Sequence, residues 1–133
     1  MRKMMLDTNI CIYIIKNRPT SVRTKFQEFH IGELCISSIT VSELMYGAYK
    51  SQFVEKNLKA IEAFLMPFEI VDYDYIASVE YGKIRAYLEK QGRVIGNMDL
   101  QIAGHAMALG VTLVTNNTKE FERVTALHLD NWV

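Results

Sequence analysis

Short apolar runs alternate with amphipathic stretches along the whole chain, and this rhythm predicts the elements. Met4-Met5-Leu6 reads as a buried strand that delivers Asp7-Thr8-Asn9 and passes directly into a helix over Ile10 to Ile15. Pro19 breaks the chain, and Ser21 to Phe29 predicts a second helix with Val22, Phe26 and Phe29 on one side, closed by Gly32. Leu34 to Ser37 is a second strand. Thr40-Val41-Ser42-Glu43 then has the spacing of a capping box, opening a helix before Leu44, Met45 and Tyr46. Leu58, Ile61, Phe64 and Leu65 predict a helix over 53–66, and Phe68 to Val71 a third strand. After Asp72 to Asp74 comes a long helix with Ala77, Tyr81, Ile84 and Leu88 on one stripe, stopping near Gly92. A further helix opens at Asp99, turns Ile102, Ala103 and Ala106 to one face and ends at Gly110, before the strand Val111 to Thr115. From Asn116 the tail reads as a turn followed by a short apolar segment with Leu127, Leu129 and Trp132. Strands alternating with helices imply an α/β fold with a central parallel sheet.

Composition narrows the class. The 133 residues, 50% of them hydrophobic, suit one domain over 1–133. Fifteen Lys and Arg balance fifteen Asp and Glu, so no global positive field advertises a nucleic acid, and a polyanion must find a local patch. Cys11 and Cys35 lack CxxC spacing and read as reduced core thiols. With no run of membrane-helix length and no signal-peptide pattern, the expected location is the cytoplasm.

The chemistry is suggested by four carboxylates, Asp7, Glu43, Asp99 and Glu120, each following a strand or opening a helix. Taken singly, each has an ordinary reading: Asp7 as an N-cap, Glu43 as half of a capping box, Asp99 as a first-turn acid and Glu120 as a solvated side chain. What changes the picture is that Asp7 trails an apolar strand and Asp99 faces an apolar stripe, because an inward carboxylate is costly unless paired. In a wound parallel sheet, positions 36, 56 and 21 residues apart can meet at one edge. A cluster of like charges persists only if a cation neutralises it, and a hard divalent ion with oxygen ligands, magnesium or manganese, fits this donor set best. Thr8 and Asn117 are candidate supporting oxygens. Zinc fits poorly, since His30, His105 and His128 show no ligand spacing, and His105 reads as a helix residue near the core. No GxSxG, Walker or GxGxxG motif is present. A phosphatase using Asp7 as nucleophile is a rival reading, but its usual second Asp is replaced by Asn9. A binding module that has lost catalysis is another, opposed by the retained acids.

Over essentially its whole length the chain resembles the VapC-type toxins of the PIN-domain ribonuclease family. The elements that carry the resemblance are Met5-Leu6-Asp7-Thr8-Asn9, Ser37 to Leu44 with Gly47, Gly92 to Ala103, and Leu113 to Phe121. The resemblance implies a metal-dependent endoribonuclease, the toxin of a type II toxin-antitoxin pair, with Asp7, Glu43 and Asp99 on the family's acidic positions and Asp7 and Asp99 as metal ligands. Many members carry an Asp soon after the strand-end Thr. This sequence has Asn116 and Asn117 there, and Glu120 supplies the fourth acid. The Ile-Gly-Asn-Met-Asp and Thr-Asn-Asn-Thr-Lys-Glu-Phe forms look most like members that cut initiator transfer RNA in its anticodon loop. Expected partners are a VapB-type antitoxin, the RNA, and a second copy of the chain in a homodimer within a toxin-antitoxin hetero-oligomer. Lys16, Arg18, Lys83, Arg85, Arg93 and Lys119 are candidates for neutralising RNA phosphates. Met45, Tyr46 and Tyr49, with Phe53 beyond, are candidates for an antitoxin groove.

Overall fold

The computed structural model describes residues 2–133. Five parallel strands, β1 (Met4–Leu6), β2 (Leu34–Ser37), β3 (Glu69–Val71), β4 (Thr112–Val114) and β5 (Leu129–Asp130), lie in the order β3-β2-β1-β4-β5. Seven α-helices connect and cover them: α1 (Thr8–Lys16), α2 (Thr20–Gln27), α3 (Ser38–Tyr49), α4 (Val54–Leu65), α5 (Tyr75–Lys90), α6 (Asn97–Leu109) and α7 (Thr118–Phe121). A parallel sheet needs both faces covered, and the strand alternation supplies a face for each layer. Met5, Cys35 and Leu113 join one core with Leu88, Ile102, Ala106 and Phe121, whereas Leu6, Leu34, Ile36 and Val114 join another with Ile10, Leu44, Ile61 and Trp132. The sheet is thus sandwiched between α5 and α6 on one side and α1 to α4 on the other. Both cysteines are free and buried.

Chain order and spatial order part company between β1 and β4. From β1 the chain winds outward through β2 and β3, then returns across the sheet to β4 on β1's other flank. Such a reversal leaves a crevice at the carboxyl ends of the two strands, where open α/β sheets place their sites. Asp7 follows β1 there and Thr115 follows β4.

Several boundaries differ from the sequence expectation. The helix read as opening at Thr40 begins two residues earlier at Ser38, capped by Ser37, whose Oγ accepts the Ile39 N–H at 3.1 Å. Because β2 runs without a loop into α3, Thr40 and Glu43 are not a capping box; three residues apart inside one helix, they share a face. Gly32 does not close α2, which ends at Gln27; it sits in a 3-10 turn, Ile31–Glu33, that leads into β2. In the tail, α7 and β5 were not anticipated. Four and two residues long, they are too short to have a periodicity, and β5 exists because it pairs with β4.

The tightest helix contact lies between α5 and α6. A Cβ placed on Gly104 would stand 2.8 Å from the main-chain nitrogen and 2.9 Å from the Cα of Tyr81. Backbone cannot yield as a side chain end can, so Gly104→Ala is expected to destabilise by about 1–3 kcal/mol from overpacking. This outweighs the ~1 kcal/mol alanine gains in helix propensity. Urea unfolding measures it, and an unchanged or higher midpoint would contradict the close approach.

Candidate active site

Asp7 is 4% exposed and serves both of the roles open to it. Its Oδ1 accepts the main-chain N–H of Thr8 at 2.8 Å, capping α1, and its Oδ2 accepts the hydroxyl of buried Thr115 at 2.8 Å. The cap and the strand-end position coincide because β1 hands over to α1 with no intervening loop. The adjoining Thr8 hydroxyl donates to Glu43 Oε1 and lies 3.4 Å from the hydroxyl of Thr40, which is wholly buried. Thr8 therefore ties the acid of α1 to the acid of α3, as a supporting oxygen that acts through Glu43.

Asp99 projects from the first turn of α6 and Glu120 from α7. Their convergence shows in the electrostatics. Burial pushes the Asp99 carboxyl up to about 6, and the charges of Asp7, Glu120 and Glu43 push it in the same direction. Asp7 is likewise raised, by burial first and in small part by Glu43, while its hydrogen bonds to Thr115 and Thr8 pull it back. No basic side chain acts on either group. The four candidate acids thus lie near enough to act on one another's charge, with Asp7 at the switch between β1 and β4.

The donor set is all oxygen and carries unneutralised negative charge, the chemistry that suits a hard divalent cation. Among the described residues no group of three or more His, Cys, Asp or Glu side chains is arranged to hold a metal ion. Magnesium asks for less, one or two carboxylates with the remaining positions filled by waters and a phosphate.

Asn117 touches the site through its main chain. Its main-chain N–H, at 3.0 Å, donates to the Thr115 hydroxyl that holds Asp7, and its side chain makes no recorded hydrogen bond. Thr115 and Thr40 were not identified as site residues from sequence. The signal for Thr115 is the pairing of Leu6 with Val114, which sets Thr115 opposite Asp7, and that needs the strand order. Asn116 was also missed: its amide donates to the Tyr13 hydroxyl at 3.2 Å and accepts from Asn9 at 3.5 Å on the rim.

The basic candidates separate. Lys16 is exposed and lines an apolar cleft of about 280 Å³ with Glu43, Ile12, Ile15, Gly47 and Ile61, while Lys119 is exposed beside Glu120. Arg18 and Arg93 are exposed as well. Lys83 instead pairs with Glu80 at 3.7 Å, and Arg85 bonds the Tyr81 hydroxyl at 2.6 Å and Glu89 at 3.1 Å. The cleft between α1, α3 and α4 is walled by Gly47 and Ala48, not by Met45, Tyr46 and Tyr49. Tyr46, Tyr49 and Phe53 are more than 60% exposed, with the Lys50 ammonium over the Tyr46 ring at 4.8 Å.

Residues 4–127 match the PIN domain family. The chain is 53% identical over 132 residues to the tRNA(fMet)-specific endonuclease VapC of Shigella flexneri, with 99% of each chain covered. It is 50% identical over 133 residues to ribonuclease VapC2 of Haemophilus influenzae, with 100% of each covered. Its fold is similar to that in the crystal structure of a DNA-bound VapBC from Salmonella typhimurium, with a TM-score of 0.94, 46% identity and 100% of each chain covered. With the acids and these relatives in agreement, the chain belongs to the PIN domain family, in its VapC branch.

Proposed function

We propose that this chain is the toxin of a type II toxin-antitoxin pair, a magnesium-dependent endoribonuclease whose substrate is transfer RNA, cut in the anticodon loop of the initiator species. What supports the reading is that Asp7, Glu43 and Glu120 each push on Asp99, and that the Thr8 hydroxyl bonds Glu43 while its N–H bonds Asp7, with no basic side chain among the causes. The substrate follows the Shigella flexneri relative, a tRNA(fMet)-specific endonuclease covered over 99% of both chains.

Asp7 and Asp99 are assigned as the metal-holding carboxylates, with Glu43 and Glu120 completing the negative field; manganese can substitute for magnesium in such an oxygen site. A divalent ion held there would supply polarisation of the scissile phosphate and a more acidic water. The chain's residues supply the rest. Thr115 and the Thr8 N–H fix both oxygens of Asp7, and the Thr8 hydroxyl holds Glu43, so the acids are oriented before substrate arrives. Lys16, Arg18, Arg93 and Lys119 are free to neutralise RNA phosphates around an acidic centre that repels them.

The assigned partner is a VapB-type antitoxin, within a hetero-oligomer built on a toxin homodimer. A segment of it would fill the apolar cleft that opens at Glu43 and Lys16. No helix among the described residues is long and apolar enough to cross a membrane, and the reading places the protein in the cytoplasm with its RNA.

The test is to incubate antitoxin-free protein with total RNA and Mg²⁺, with and without chelator, and map the cut ends. Internal cuts in initiator transfer RNA, leaving a 5′-phosphate and stopped by chelation, are expected. Cleavage that persists in chelator would overturn the metal assignment, and an intact transfer RNA pool would overturn the substrate.

A further inference from the structure

His105 lies in α6, six residues beyond Asp99, and is only 1% exposed. Its Nδ1 stands 2.8 Å from the Oγ of Ser37, the wholly buried residue that ends β2 and caps α3. Glu43 lies six residues further along that helix. Each acid is therefore under two helical turns, roughly 9 Å of axial rise, from the bonded pair.

Ser37 Oγ accepts the Ile39 N–H and still has its hydrogen and a second lone pair, so it bonds His105 Nδ1 as donor to the Nε2–H tautomer or as acceptor from the Nδ1–H tautomer. Nε2 is buried with no partner within hydrogen-bond distance, although the main chain of Asp72 lies near enough to act on the ring, and the Tyr73 ring meets the imidazole edge-on at 5.6 Å. The bond to Ser37 is the side-chain contact within hydrogen-bond distance that the ring makes. Among the described residues this is the side-chain hydrogen bond that joins α6 to any other element. Asp99 itself makes no recorded side-chain hydrogen bond, while the neighbouring carboxylates push against it.

We propose that His105 is a positioning residue that fixes the spacing of Asp99 from Glu43 by locking α6 to the cap of α3, an inference that rests on the nuclease reading above. The lock resists the repulsion of the two acids and keeps them at the separation one cation requires.

The experiment compares the full-length wild type with His105→Leu, His105→Asn and Ser37→Ala, after thermal unfolding has shown which are folded. Mn²⁺ affinity of the RNA-free protein is read by water-proton relaxation, kcat and KM on transfer RNA separately, and the wild-type tautomer by ¹⁵N NMR. The wild-type ring is expected as the neutral Nε2–H tautomer. His105→Leu lowers kcat and Mn²⁺ affinity by about 10–100-fold, the range for partners that orient metal ligands. KM for RNA stays within about threefold, since no RNA contact is removed. His105→Asn, whose Oδ1 overlays Nδ1, restores both to within about threefold of wild type.

Wild-type kcat and Mn²⁺ affinity in His105→Leu, or an Asn variant as impaired as Leu, would overturn the proposal. If His105→Leu is unfolded, Ser37→Ala decides by the same readouts, and unchanged Mn²⁺ affinity there overturns it. Weakened Mn²⁺ binding in a protein that cuts no RNA removes the nuclease reading and leaves the lock; normal cutting by all variants does the reverse.

Discussion

Asp99→Asn is expected to lower RNA cleavage by at least about 100-fold under the proposed metal-holding role, because losing such a carboxylate should exceed the ~10–100-fold cost of losing a partner that merely orients one. The same change is expected to raise the melting temperature of the metal-free protein at neutral pH. Both follow from one fact. The Asp99 carboxyl sits at about 6 in the folded chain against an ordinary 3.8, raised by burial and then by the charges of Asp7, Glu120 and Glu43. Below its ordinary value the group is protonated whether the chain is folded or not, and it has no effect on stability. As the pH rises from there through about 6, the unfolded chain ionises more readily than the folded one, so the native state loses stability on Asp99's account. That penalty is fully present above about 6. Asp7, also raised, acts with the same sign.

Metal-free wild type should therefore melt at lower temperature as the pH rises through this window, and Asp99→Asn should flatten the slope. Protons compete with the cation for the same oxygens, so cleavage at limiting Mg²⁺ should rise with pH through about 6. Melting curves in chelator and single-turnover cleavage across the window measure the two halves. An Asp99→Asn protein that melts lower than wild type at neutral pH would mean that the carboxylate has a stabilising partner, contrary to the charges around it.

Trp132→Ala is expected to cost about 3–5 kcal/mol, a large part of the stability of any domain this size. The side chain is 2% exposed although it is the penultimate residue. Its ring stacks on Phe29 with centroids 5.3 Å apart and planes 13° from parallel, and its Nε1–H donates to Asp130 Oδ2 at 3.1 Å. It thereby pins the strand β5 to the layer containing α2. At roughly 3 °C per kcal/mol, the melting temperature should fall by about 10 °C. Trp132→Phe keeps the stack and loses the N–H bond, which is worth about 1 kcal/mol. A fall of only a degree or two for Ala would show that the tail contributes little to the core.

How much of this was legible in the sequence depended on whether a residue's role is local. Met4-Met5-Leu6 ahead of Asp7 announces a strand end by hydrophobicity alone, and the stripe Ala77, Ile84 and Leu88 announces its buried face. Glu43 and Thr40 show the limit. Their spacing fits both a capping box and one face of a helix interior, and the choice turns on whether β2 runs on to Ser37, which tertiary pairing with Val71 decides. Thr115 illustrates the same limit from the other side. A Thr at a strand end is ordinary until β4 is known to lie beside β1, which brings its hydroxyl to Asp7 from 108 residues away. The meeting of the four acids was assumed for a wound parallel sheet and then supported by the resemblance, because no periodicity encodes a sheet order in which the chain crosses back past β2 and β1 to reach β4.

The crossing back of β4 bears on how such a molecule is made. Its central strand pair joins residues 4–6 to 112–114, and the acids enter from positions 7, 43, 99 and 120 of 133. A chain still emerging from the ribosome lacks the pair until residue 114 is out and the complete cluster until residue 120 is out. Under the nuclease reading, a nascent chain stays harmless until those positions have emerged, and products truncated before them are harmless too. The interval between that point and capture by an antitoxin is then the whole of its window for damage.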